Sequence, residues 1–151
     1  MSAFEIVKYL HILFAIIAVG FNATYGIWLA RAARQPQHEG YVLRGVKVLD
    51  DRFANPAYGL LLVTGLIMVA ISPYELTTFW IALALALYAL AVIVGLLVAT
   101  PTLRRQIAVF EAGGRDSPEY HRLATRNRLV GILLAVDVLA IVFLMVTRPT
   151  L

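Results

Sequence analysis

The chain has 151 residues, of which 61% are hydrophobic and 15% charged, with 13 Lys and Arg against 9 Asp and Glu and no cysteine. Charge this sparse excludes an ordinary soluble domain, where about 25% is usual, and the missing cysteine excludes disulfides, thiolate metal sites and cysteine nucleophiles. The excess of positive charge is grouped between apolar blocks, which is how membrane topology is written rather than a nucleic-acid surface.

The first predicted span covers residues 4–30 and carries Glu5, Lys8 and His11 in its opening turns, with Asn22 further along. Glu5 and Lys8, three residues apart, read as an interfacial ion pair with a snorkelling lysine. At 100° per residue Lys8, His11, Ala15, Ala18, Asn22 and Tyr25 share one stripe, opposite Ile6, Leu13, Ile17 and Phe21. The alanines suit close helix contact, so this stripe is expected to face the bundle. A cleavable signal peptide has a basic start and a short apolar core; this segment has an acidic flank and full spanning length, so it is expected to stay.

The second span, 53–72, follows a mixed apolar and basic stretch, HEGYVLRGVKVLDDRF (38–53), read as a helical extension starting near Tyr41. It starts after Asn55-Pro56 or runs through that pair, and carries Thr64 and Met68. Ser72-Pro73-Tyr74 separates it from the third span, 76–100, and so short a connection makes the two antiparallel neighbours. The third span carries Tyr88 and ends at Pro101, where a kink is expected. Gly113-Gly114 suits a helix C-terminus, and Ser117-Pro118-Glu119 reads as an N-cap, a proline at N1 and a first-turn acid. The third and fourth helices therefore project beyond the membrane around a tight turn at 113–116. The fourth span, 129–147, carries Asp137, whose charge at mid-span costs at least about 2.5–3.5 kcal/mol.

Segment 31–52 holds Arg31, Arg34, Arg44, Lys47 and Arg52, and segment 101–128 holds Arg104, Arg105, Arg115, Arg122, Arg126 and Arg128. By the positive-inside rule both face the cytoplasm, with both termini outside a plasma (inner) membrane. The expected fold is all-α: one integral-membrane domain, an antiparallel up-down bundle of four transmembrane helices, with a plan that suggests two tandem helical hairpins. Gly59, Gly65, Gly95 and Gly131 read as close-packing positions.

The polar residues in the spans are the candidate site. From the outer end, Met68 lies about 6 Å deep, His11 about 10 Å, Thr64 about 12 Å, Asp137 about 15 Å and Tyr88 about 18 Å. One residue from each helix thus reaches a common layer, in which His11, Tyr88, Thr64 or an inward-reaching Lys8 are the candidate partners of Asp137. No GxSxG, Walker loop, CxxC or HExxH appears, which leans against an enzyme.

KYLHIL (8–13), Gly20, NPAYGLLLVTGLIMV (55–69) and a basic hairpin before each returning helix resemble a bacterial family of predicted integral-membrane proteins with four spans. More distantly they resemble the membrane domain of copper-resistance proteins and the haem-associated membrane protoporphyrinogen oxidase, whose first helix also has an inward histidine after a lysine and an aromatic. That resemblance implies a haem or metal role for His11. The third helix departs from the oxidase pattern: FWIALALALYAL (79–90) lacks the lysine and histidine expected there. Three readings follow. In the first, His11 is an axial haem ligand with Met68 or the His11 of a second copy opposite. In the second, His11 and Asp137 form the relay of a proton-linked transporter. In the third, the protein is a structural accessory subunit. The expected partners are the lipid bilayer and a second copy or another membrane protein, with no nucleic acid.

Overall fold

The structure, a computed structural model, describes residues 2–149 and is built from four long helices: α1 (Ala3–Ala32), α2 (Pro36–Ala70), α3 (Phe79–Glu111) and α4 (Pro118–Thr147). Each is long and apolar enough to cross a bilayer. The expected bundle of four spans is what the chain forms.

Local chemistry sets the helix ends. Ser2 caps α1 by accepting from the Glu5 N–H (3.2 Å), while the Glu5 carboxylate accepts from the Ser2 N–H (2.7 Å). This capping box satisfies two orphan donors. It also corrects the expected Glu5–Lys8 ion pair, because the carboxylate is turned back to the backbone and Lys8 is exposed. Helix α2 begins at Pro36, five residues earlier than Tyr41, with the proline at N1. Gly113 closes α3 with a positive φ of 78°, which glycine adopts without steric cost. Ser117 then opens α4 by accepting from the Tyr120 N–H (3.1 Å).

Both internal prolines are absorbed by wide turns. A π-helical segment, Asp50–Ala54, precedes Asn55-Pro56, and another, Gly95–Ala99, precedes Thr100-Pro101. Opening the helix by one residue per turn moves the carbonyl four residues back away from the proline ring. So α2 runs through Asn55-Pro56, and at Pro101 the expected kink takes the form of a π segment.

The helices pair as two hairpins, α1 with α2 and α3 with α4. Within the apolar layer the backbones of α2 (55–70) and α3 (79–94) stand apart, contrary to their expected adjacency; they meet only in their basic extensions. The eight-residue connection 71–78, in which Ser72 Oγ donates to the Val69 carbonyl and Thr78 Oγ1 accepts from the Glu75 N–H, is long enough to hold them apart. At this end, where both termini lie, Arg148 closes α4 and sets its guanidinium 5.6 Å from the Trp80 ring and 6.0 Å from that of Tyr74. At the other, basic end, Leu43, Val46, Leu103 and Tyr120 form a buried cluster flanked by Tyr25, Leu29, Ile107 and Phe110. This small core joins the two hairpins.

Candidate functional site

His11 projects from α1 towards α2, where its Nδ1 lies 3.0 Å from Thr64 Oγ1. Thr64 is buried and donates its single proton to the Leu60 carbonyl (2.7 Å), so its oxygen is left to accept from His11 Nδ1–H. The resulting tautomer keeps the lone pair of Nε2 free. Gly65 makes room for the ring: a Cβ there would stand 3.1 Å from His11 Cε1. The other glycines read as packing positions, Gly59, Gly95 and Gly131, have open space beside them, so close approach is needed at Gly65 alone of the four. Met68 is half-buried one turn beyond Thr64 on α2.

The remaining polar residues divide. Tyr88 reaches across from α3 and donates to the Tyr58 carbonyl (2.8 Å), the bridge that spans the separated part of α2 and α3. Asp137 on α4 has a buried Oδ2 with no hydrogen-bond partner, so none of His11, Tyr88, Thr64 or Lys8 pairs with it. The Tyr25 hydroxyl is likewise buried without a partner. Asn22 is exposed and donates to the Ala18 carbonyl of its own helix (3.0 Å). The inward face of α1 is turned from the expected stripe: Ala18 is fully buried, Tyr25 and His11 lie partly inside, and Lys8 and Asn22 fall outside. Phe21, expected on the lipid side, instead packs on Phe53 of α2 with ring centroids 5.5 Å apart.

A second constellation, at the basic end, was not anticipated. Glu39 is only 5% exposed, accepts from Arg115 Nε (2.6 Å) through one oxygen and from the Tyr120 hydroxyl (2.6 Å) through the other. Arg115 also donates to the Ala33 carbonyl just past α1 (3.3 Å). Nearby, Asn127 of α4 donates to Gln106 of α3 (2.5 Å). Tyr120 lies in segment 118–128, outside the apolar span, and burial followed by its bond to Glu39 pushes its hydroxyl up to about 12. The signal was present in the sequence: Glu39, Leu43 and Val46 share one face at i, i+4 and i+7, and an acid on the apolar side of an amphipathic segment requires a buried partner. Its position in the first turn of α2 instead invites a dipole explanation.

Four helices, each long and apolar enough to cross a bilayer, define the class as an integral membrane protein. The chain belongs to the family described as predicted integral membrane protein (DUF2269), whose model matches residues 5–149. No curated protein and no solved structure matches it. The likeness to copper-resistance and oxidase proteins therefore stands on the short motifs already quoted.

Proposed function

We propose that this is a small membrane protein that binds haem or a similar redox ligand through His11 of α1. The observation that carries this reading is the pairing of His11 Nδ1 with Thr64, itself anchored to the Leu60 carbonyl. Histidines that ligate metals commonly donate the other ring N–H in this manner, which fixes ring orientation and leaves Nε2 as the donor. The residues that would hold the iron are His11 and the thioether of Met68, which stands one turn beyond Thr64 on α2. Iron held there would supply one-electron chemistry, and the protein's own part is to hold the imidazole at one angle. The positive-inside rule supports placing the basic end in the cytoplasm and both termini outside a plasma membrane.

The test is the absorption spectrum of protein purified from its membranes and supplied with haem, alongside His11→Ala. A Soret band present in the wild type and lost in the variant is expected; absence of the band, or an unchanged band in His11→Ala, refutes the reading.

A second reading is favoured by a specific observation, the unpartnered Oδ2 of Asp137. A carboxyl kept in the bundle without a partner suits proton-linked permeation. That reading rests on Asp137 alone, since His11 is engaged elsewhere. Unchanged flux in proteoliposomes carrying Asp137→Asn removes it.

A further inference from the structure

The seam between α2 and α3 has two halves. In the apolar layer the two backbones stand apart and Tyr88 crosses between them to the Tyr58 carbonyl. In the basic extensions the helices meet, and there a groove is lined by Arg44, Lys47, Val48, Arg104, Ile107 and Glu111. Arg44 pairs with Glu111 (3.2 Å) and Lys47 with Asp51. Arg104 is exposed and makes no ion pair among the described residues. Three cations thus face two acids, which leaves one positive charge over at the rim of the groove.

We propose that an anionic glycerophospholipid occupies this seam. Its headgroup phosphate sits against Arg104, with Arg44 and Lys47 alongside. From there an acyl chain descends where the backbones of α2 and α3 separate. Three considerations select this occupant. Condensed matter leaves no gap between helices unfilled, and in a bilayer the filling is hydrocarbon. Arg104 stands three residues beyond Pro101, where the apolar span ends, at the depth of the headgroups. The single surplus charge matches one phosphodiester, and a guanidinium offers the paired donors that a phosphate accepts. Arg44 and Lys47, being paired with acids, set the shape of the groove more than its charge. A zwitterionic lipid brings its own cation and loses this complementarity.

The experiment is native mass spectrometry of the full chain released from nanodiscs of mixed phosphatidylglycerol and phosphatidylcholine. Wild type is expected to retain one phosphatidylglycerol in preference to phosphatidylcholine. Arg104→Gln is expected to lower that retention about fivefold, the effect of one lost cation near a membrane surface. Arg34→Gln, which removes another exposed arginine outside the seam, is expected to leave it unchanged. Helicity of each variant by circular dichroism checks folding, and if Arg104→Gln fails to fold, Arg104→Lys replaces it, with a smaller loss expected because lysine lacks the fork. Equal retention of both lipids overturns the proposal, as does an equal loss in the Arg34 and Arg104 variants. Displacement of the bound lipid by inorganic phosphate also overturns it and assigns the groove to a soluble anion.

Discussion

The two polar constellations sit at different levels and are built in opposite ways. At the basic end Glu39 is almost wholly buried, and both of its oxygens are engaged, by Arg115 and by Tyr120. That arrangement draws on the ends of both hairpins: the residue past α1, the first turn of α2, the α3–α4 turn and the first turn of α4. In the apolar layer the polar groups are few and incompletely paired: His11 keeps Nε2, and Asp137 keeps a buried oxygen without a partner. A fully satisfied network rigidifies what it joins, whereas unsatisfied groups in a low-dielectric setting are costly. The difference teaches that the basic end joins the hairpins, whereas the membrane layer keeps hydrogen-bonding capacity that no protein group uses.

This division is open to direct challenge, and the largest effect is expected from Glu39→Ala. Removing the carboxylate leaves the Tyr120 hydroxyl buried without an acceptor and frees Arg115, so a stability loss of about 2–3 kcal/mol is expected in a denaturation titration in mild detergent. A variant as stable as wild type breaks the comparison. The same network is pH-sensitive. The Tyr120 hydroxyl is held neutral to about 12 in the fold, against 10.0 when free. Its contribution is fully present below the free value and is lost as pH rises from there through the folded one. Stability should therefore decline across that alkaline window in wild type and decline less steeply in Tyr120→Phe.

Smaller effects are expected in the apolar layer. Thr64→Val removes the acceptor of His11 and keeps the shape, with an expected cost of about 1 kcal/mol, the usual scale of a hydrogen bond between transmembrane helices. Under the haem reading it also shifts the absorption spectrum, because the imidazole loses its orientation. Asn22→Leu is expected to change stability by no more than about 0.5 kcal/mol, since Asn22 is exposed and bonds its own helix. A large effect there would restore Asn22 to the inward face of α1.

What was legible in the sequence follows from which physical rule is strong. Hydropathy over about 20 residues located all four spans, because a bilayer imposes length and polarity together. The N-cap at Ser117 and the glycine turn at 113 were readable because their chemistry is local. Helix rotation was not: Phe21 packs on Phe53 while Lys8 and Asn22 fall outside the inward face of α1, and such packing belongs to two helices at once. The separation of α2 from α3 was hidden for the same reason, since a short connection limits distance only at its own end. The His11–Thr64 pair was half visible, as two polar residues at similar depth. Glu39 was the residue most easily missed, because an acid in a basic segment passes as surface charge until Arg115 is brought back to it by the turn at 113–116.

The most direct measurement follows the absorption spectrum of the protein purified from its membranes through denaturation, for wild type, His11→Ala and Glu39→Ala. If the basic end provides stability and the membrane layer provides the ligand site, His11→Ala loses the chromophore and nearly keeps the unfolding midpoint. Glu39→Ala then does the reverse: it keeps the chromophore in the folded protein and unfolds at lower denaturant. A preparation with no chromophore, or two variants that lose spectrum and stability together, contradicts this division of roles.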